Sequence, residues 1–378
     1  MSPRIAQLAN FVGPHSGGMR TAVDALGARY AASGAHRLLV TPGVRDAIVE
    51  SSSGLHVQLR ALEVPGGYRM IVEPWRVLSV LAEFAPTSIE VSDKTTMVPV
   101  ARWARQAGAG CVLFSHERLD AMMALRIGIR SARNAGISTA ISACHRVLSG
   151  GFDAIVVTSR YAAGEFPAAA RARLRHVPLG VDLEMFHPRS RGHPGSDGVL
   201  RLVHAGRLSR EKSPDLAVAT AVELHRRGVP VRLDVYGQGP LLASLRRLAA
   251  GAPVTFHGHL DDRRALAAAL AFADVALYVC PGETFGLSIL EALASGTSVV
   301  TADRGGGREL VTEASGAWAP PEPPALADAV LRLASRDART ARIAARRQAE
   351  RFDWSSTAGS MLDLHREVAA GLAQVAAP

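Results

Sequence analysis

Short apolar runs alternate with longer Ala-rich stretches of helical character along this chain, and the alternation occurs twice, on either side of Pro188-Arg-Ser-Arg-Gly-His-Pro-Gly-Ser-Asp-Gly198. A strand-helix alternation of this kind is the pattern of parallel sheets with crossover helices, so each half reads as a Rossmann-type unit. In the first half Ile5–Leu8 reads as a strand, Phe11–Gly18 as a Gly-rich turn, and Thr21–Ser33 as a helix closed by Gly34. Leu38–Val40, Ser88–Val91, Cys111–Phe114 and Ala154–Thr158 are further strands, which makes a sheet of five or more. The 188–198 segment is dense in residues that end regular structure and reads as a linker. Beyond it come a strand at Leu200–His204, a turn at Ala205–Arg210, and a helix from Pro214 with Ser213 as its N-cap. Strands at Val231–Tyr236, Val254–Phe256, Val275–Leu277 and Ser298–Thr301 follow.

Length agrees with this division, since 378 residues exceed what one core sustains and two domains of roughly 150 to 200 residues are expected. Cys111, Cys144 and Cys280 are far apart and form no C-x-x-C pair, which argues against a zinc knuckle or disulfide framework and fits a reducing compartment. The amino terminus lacks a signal-peptide pattern, and the longest apolar window, Ala265–Cys280, is broken by Asp274 and shorter than the roughly 20 residues that span a bilayer. A cytoplasmic protein is expected. A net charge of +9 calls for an acidic partner, for which nucleic acid, anionic lipid headgroups and phosphorylated small molecules all qualify.

In folds of this class ligands bind at the carboxyl ends of the strands, so the turns there carry the functional weight. Gly13-Pro-His-Ser-Gly-Gly18 ends a strand and precedes a helix, letting an anion approach the backbone, although it is neither G-x-G-x-x-G nor a P-loop and also fits an ordinary turn. Ser115-His116-Glu117-Arg118 follows another strand, where His116 could meet a sugar hydroxyl or simply complete a turn. Gly206-Arg-Leu-Ser-Arg-Glu-Lys212 sets the planar fork of Arg207 and the point charge of Lys212 five residues apart, a pair suited to a diphosphate; two solvent-facing cations would read the same. Glu283-Thr-Phe-Gly-Leu-Ser-Ile-Leu-Glu291 places two carboxylates across a loop-to-helix junction. Thr284, Phe285 and Gly286 stand where the helix would begin and its free N–H groups would offer an anion site. The blander alternative is a dipole-favoured Glu283 and a solvated Glu291.

Metal-binding patterns are absent from the sequence, and Asp261-Asp262 reads as a helix cap, so no metal is expected. Arg126, Arg130 and Arg133 beside Met122, Met123, Ile127 and Ile129 suggest a basic and apolar helix that either lies on a membrane surface or faces its own core. Arg339, Arg342, Arg346 and Arg347 read as a solvated basic face.

Together, the Gly17-Gly18 loop, His116, Arg207 with Lys212, and Glu283 with Glu291 resemble the motif set of the retaining GT-B glycosyltransferases of family four, over nearly the whole chain. Pro178-Leu-Gly-Val-Asp182 resembles the P-N-G-V-D segment at that family's domain crossover, with Leu179 in place of Asn. Phe352-Asp-Trp354 resembles the F-x-W after which the last helix returns to the first domain. Ala9-Asn-Phe-Val-Gly-Pro14, Ser16-Gly-Gly-Met-Arg-Thr-Ala-Val-Asp24, Gly66-Gly-Tyr-Arg69 and Ser115-His-Glu-Arg-Leu-Asp120 look closest to the mycobacterial phosphatidylinositol mannosyltransferases, at the dimannoside step.

The resemblance implies two Rossmann-like domains facing each other across a cleft: residues 1–187, a linker at 188–198, residues 199–352, and a returning helix at 353–378. It implies that Arg207 and Lys212 bind the donor diphosphate with help from Gly17 and Gly18, that Glu283 holds donor-sugar hydroxyls, and that Thr284, Phe285, Gly286 and Leu287 present the backbone to sugar and phosphate. Glu291 would bind the ribose and His116 would contact the sugar near the reacting centre. Tyr68, Arg69, Asp93 and Arg118 are the acceptor-side candidates. The implied reaction moves mannose from GDP-mannose to a hydroxyl of a lipid or glycolipid acceptor with retention and without a metal, on the inner face of a membrane. A UDP- or ADP-sugar donor, or a soluble acceptor, is the nearest alternative. A nucleic-acid-binding module is the distant one, because the basic residues are dispersed and no recognition motif is visible.

Overall fold

A computed structural model describes residues 2–10, 17–64, 68–94, 96–118, 150–190 and 198–375. These divide into two compact units, one comprising the described residues up to 178 together with the helix that starts at Trp354, the other the described residues from 179 to 353. The basic stretch at Arg126, Arg130 and Arg133 lies outside the described residues.

Ten strands belong to the first unit: β1 (Arg4–Leu8), β2 (His36–Gly43), β3 (Ala47–Ser51), β4 (Gly54–Arg60), β5 (Leu62–Val64), β6 (Tyr68–Met70), β7 (Ser88–Val91), β8 (Gly110–Ser115), β9 (Ala154–Val157) and β10 (Leu174–His176). Eight form one sheet in the order β10-β9-β8-β7-β1-β2-β4-β3, parallel but for the β3–β4 hairpin, and β5–β6 is a separate antiparallel ribbon. Strands β7, β8 and β9 are buried at every position; β8 and β9 accordingly read as apolar runs in the sequence, whereas β7 buries Ser88 and Glu90 as well. β3 is exposed along most of its length and carries no such signal.

Two polar residues interrupt this apolar layer side by side, Gln7 on β1 directly opposite Glu90 on β7. Gln7 Nε2 donates to Glu90 at 3.0 Å, and the Tyr30 hydroxyl, from the helix Gly18–Ala32, donates to the other carboxylate oxygen at 2.9 Å. His365, on the helix Trp354–Val375, reaches the same carboxylate at 3.4 Å while its other ring nitrogen lies 2.7 Å from Ser88 Oγ. Arg37 Nε donates to Gln7 Oε1 at 2.7 Å. Burial alone would raise the Glu90 carboxyl, and the bonds from His365, Gln7 and Tyr30 hold it below its ordinary value. A buried carboxylate served in this way is ionised and fixed, and it ties the last helix to the centre of the first sheet.

The second unit has one parallel sheet of β11 (Leu200–Ala205), β12 (Val231–Tyr236), β13 (Val254–Gly258), β14 (Val275–Tyr278), β15 (Ser298–Ala302) and β16 (Gly316–Ala319), in the order β13-β12-β11-β14-β15-β16. Strand order reverses between β11 and β14, the switch point at which such sheets open to ligands. Helices Pro214–Arg226, Leu242–Leu248 and Pro323–Ala334 contribute Leu224, Leu245 and Leu326 to the core on the sheet.

Several sequence expectations change here. The chain enters the second unit at Leu179, ahead of the segment read as a linker, because Val181 already bridges to Asp353 and its N–H donates to Phe352 O at 3.0 Å. Ser213 precedes the Pro214 helix as expected but makes no capping bond: its φ is +47° and its Oγ turns back to Arg210 O at 3.5 Å. Asp262 does cap, accepting from Arg264 N at 2.8 Å. Arg342 and Arg346 are not a solvated face. Arg342 donates to the carbonyls of Ala271, Ala273 and Ser295, and Arg346 to those of Leu183, Phe186 and Ala294.

Candidate functional site

At the switch point of the second unit, β11 runs into Gly206-Arg207-Leu208-Ser209 and then a single turn, Arg210–Lys212. The neighbouring turn after β12 holds this loop by backbone bonds, Gly206 N to Tyr236 O and Leu208 N to Gln238 O, both 2.9 Å. That approach demands glycine at position 237, whose φ is +140° and where a Cβ would lie 1.9 Å from Gly206 O. Across the switch point, β14 leads into Cys280-Pro-Gly-Glu283. The Cys280 thiol donates to Glu211 O at 3.0 Å and thereby ties the two loops together.

Lys212 and Glu283 meet where the loops join. Lys212 Nζ donates to the two Glu283 oxygens at 3.0 and 2.8 Å. Burial would lower the Lys212 pKa, and the Glu283 carboxylate more than offsets it, so the ammonium stays charged. Arg207 lies 3.6 Å from the Glu211 carboxylate. The Gly305–Gly307 stretch packs beneath Glu283, with Gly306 N donating to Glu283 O at 2.6 Å. This triple glycine, legible in the sequence as the turn after β15, was passed over because it carries no side-chain chemistry.

The helix that follows begins at Leu287, three residues later than the sequence suggests, since Gly286 has φ +104° and Thr284 and Phe285 remain in the loop. Glu291 falls in that helix, with its side chain 13% exposed and 2.8 Å from the Arg263 guanidinium. It is therefore not a solvated helix residue. Burial raises its pKa and Arg263 works against the rise. Arg263 was not singled out from sequence, where it is one of several cations near a helix start.

The remaining candidates lie in the first unit. Gly17 precedes the helix Gly18–Ala32, so Gly18 is its first residue, and the Gly17 carbonyl accepts from Thr21 N at 3.1 Å. His116 follows β8, stacks on Phe114 at 4.3 Å between centroids, and lies 3.2 Å from Ser92 Oγ. Burial pushes its pKa down to about 4, so the ring is neutral near pH 7. Arg118 stands 4.5 Å over the Tyr161 ring and donates to Tyr161 O. Asp93 is buried, its carboxylate accepting from Asn10 Nδ2, Thr96 and Met97 N, a set of bonds that fixes a turn. Tyr68 and Arg69 sit on β6, with Arg69 3.0 Å from Glu63. Lys94, unmarked in the sequence, forms a buried ion pair with Glu165 and donates to Glu117 O beside His116.

Buried polar atoms without a hydrogen-bond partner among the described residues include Ser115 Oγ, Thr158 Oγ1, His204 Nε2, Ser209 Oγ and Thr301 Oγ1. All five lie at or just past the carboxyl ends of parallel strands, where a bound polar molecule would complete them. Among the described residues no group of three His, Cys, Asp or Glu is placed to hold a metal ion. No helix there is long and apolar enough to cross a membrane.

Comparison with known proteins follows the same division. A family model described as Glycosyl transferases group 1 matches residues 200–336, and one described as Glycosyl transferase 4-like domain matches residues 17–180. A GDP-mannose-dependent alpha-(1-6)-phosphatidylinositol dimannoside mannosyltransferase of Mycobacterium tuberculosis is 42% identical over 368 residues, 95% of each chain. A D-inositol 3-phosphate glycosyltransferase of Saccharomonospora viridis is 35% identical over 225 residues, 53% of this chain and 52% of that one. Among solved structures, sucrose-phosphate synthase from Thermosynechococcus elongatus aligns with a TM-score of 0.76 at 23% identity, covering 98% of this chain and 100% of that one. Anabaena HepE with UDP and glucose aligns at 0.71 and 18%, covering 96% and 99%. The fold is of the GT-B type, and the chain belongs to the group 1, family-four glycosyltransferases.

Proposed function

We propose that this glycosyltransferase moves mannose from GDP-mannose to a hydroxyl of a phosphatidylinositol mannoside, with retention of anomeric configuration. The observation that carries the donor half is the charge arrangement at the β11–β14 switch point: Arg207 and Lys212 on one loop, Glu283 on the facing loop, and Glu291 behind it on the following helix. The choice of base, sugar and acceptor is supported by the activity of the 42% identical mycobacterial relative.

In this reading Arg207 and Lys212 face the diphosphate, Glu283 holds hexose hydroxyls and Glu291 holds the ribose. The C1–O bond to the diphosphate breaks with its electron pair going to the diphosphate, whose growing charge the two fixed cations stabilise. The acceptor oxygen bonds C1 from the same face, and its proton passes to a leaving phosphate oxygen, so no covalent nucleophile or metal is needed. Neutral His116 contributes a hydrogen bond to the sugar rather than a charge. The backbone at Gly17 and Gly18 and at Thr284–Leu287 completes the donor's surroundings, and Tyr68, Arg69, Asp93 and Arg118 belong to the acceptor side. A lipid acceptor goes with peripheral membrane association from the cytoplasmic side.

Thermal stabilisation by GDP, UDP and ADP, followed by turnover of the matching mannose or glucose donors with and without chelator, tests this directly. GDP should stabilise most, and GDP-mannose should turn over undiminished in chelator. No stabilisation by any of the three would remove the donor site. Stabilisation by UDP alone would replace the base.

A further inference from the structure

His204 is the last residue but one of β11, and its ring spans the switch point, with Nδ1 2.8 Å from the Leu277 carbonyl of β14. A carbonyl can only accept, so Nδ1 carries the ring proton and Nε2 presents a bare lone pair. The residue is 3% exposed, and Nε2 has no hydrogen-bond partner among the described residues. Leaving such an atom unmet is costly, and native interiors rarely do so without a use for it.

The direction of that lone pair narrows the use. A Cβ built on Gly206 would lie 3.8 Å from Nε2, which places the atom beneath the turn that carries Arg207 and Lys212. Burial keeps the ring neutral, and the nearby Lys212 ammonium depresses its protonation further. Phosphate oxygens are acceptors and cannot satisfy an acceptor nitrogen; a hydroxyl can. In the donor-site reading the ribose end is marked by Glu291 and Arg263, whereas Nε2 lies under Gly206, at the start of the loop that carries Lys212, the partner of Glu283.

We propose that His204 Nε2 accepts a hydrogen bond from a hydroxyl of the transferred hexose and that His204 thereby helps to determine which sugar the enzyme takes. This rests on the donor-site reading above. The substitution His204→Leu keeps an apolar body and removes the acceptor, while His204→Gln keeps an amide oxygen that can accept.

Titration calorimetry with GDP and with GDP-mannose, together with donor kinetics, separates the cases. In His204→Leu, GDP affinity should stay within about twofold of wild type while GDP-mannose affinity and kcat/KM fall roughly 10- to 100-fold, with His204→Gln recovering most of the loss. Unchanged GDP-mannose affinity in His204→Leu would overturn the proposal and leave Nε2 to an ordered water. Equal losses for GDP and GDP-mannose would also overturn it, by showing a structural role. Failure of the wild type to bind GDP or UDP would overturn the donor site itself. If the wild type binds UDP instead, the same comparison with UDP and UDP-glucose decides for His204.

Discussion

Lys212 Nζ contacts both carboxylate oxygens of Glu283, at 3.0 and 2.8 Å, so the cation assigned to the donor phosphate and the carboxylate assigned to the donor sugar neutralise each other across the switch point. In the proposed donor site, a bound donor would loosen this pair and share Lys212 with a phosphate. With the Lys212 side chain 34% exposed, the pair contributes little to folding, about 0.2–1 kcal/mol. Lys212→Ala should therefore lower kcat/KM by about 100- to 1,000-fold with hardly any change in melting temperature. Paired kinetic and calorimetric measurements check this, and a melting shift as large as the activity loss would contradict it.

Glu291 and Arg263 form a second ion pair, in which the carboxylate side chain is 13% exposed. Removing Arg263 leaves burial unopposed, and the folded-state pKa of Glu291 rises further above its ordinary 4.5. A carboxyl with a raised folded pKa favours the fold fully below its unfolded value and loses that contribution as pH rises through the folded one. The melting-temperature gap between wild type and Arg263→Ala should accordingly widen from pH 4 to pH 7. A gap independent of pH would mean that the carboxylate finds another partner.

Acid should weaken the protein through its histidines. His116 is held near pKa 4 by burial, and burial also lowers His204 and His56. A histidine depressed in the folded state gives stability that is whole above its unfolded value near 6.5 and is lost as pH falls through the folded one. For His116 the gap corresponds to roughly 3 kcal/mol. Denaturant midpoints measured between pH 7 and pH 4 should fall, and His116→Asn should flatten part of the decline.

Gly286 holds the Glu283 loop in a conformation closed to other residues. Its φ is +104°, and a Cβ would lie 2.7 Å from Ile289 Cδ1 and 3.4 Å from Glu283 Cγ. Gly286→Ala should cost about 1–3 kcal/mol and reduce activity by displacing Glu283. In contrast, Gly359, within the last helix, has open space at its Cβ, and Gly359→Ala should stabilise by roughly 0.5–1 kcal/mol. Chemical denaturation of the two variants side by side provides the check.

Sequence reasoning found Ser88–Val91 and Val231–Tyr236 to the residue; the first is buried at every position and the second at all but Arg232 and Tyr236, so β-branched and apolar residues mark both despite Glu90 and Asp234. β3 and the β5–β6 ribbon escaped because exposure frees their sequence from the demands of burial. Arg207, Lys212, Glu283 and Glu291 were visible as charges at strand ends, but their pairing was not. Spacing in the chain says nothing about which cation a folded loop presents to which carboxylate. Arg263 and His204 were missed for related reasons, one being an unremarkable charge and the other lying inside an apolar strand, where its unmet nitrogen appears only once the neighbouring strands are in place.

The His365–Glu90 contact has a consequence for the order in which the molecule can be made. The carboxylate belongs to β7, which precedes the second unit in the chain, and its histidine partner comes from residues 354–375, which leave the ribosome after the described residues of that unit. Until then the first sheet lacks the helix that packs on β7 and β8, and it carries a buried-to-be charge that is only partly served. The described residues of the second unit, within 179–353, are all translated before that helix. Completion of the first unit thus waits on a helix translated after the second, and a truncation at residue 353 should leave the second unit folded while the first loses protection of β7 and β8 in hydrogen exchange.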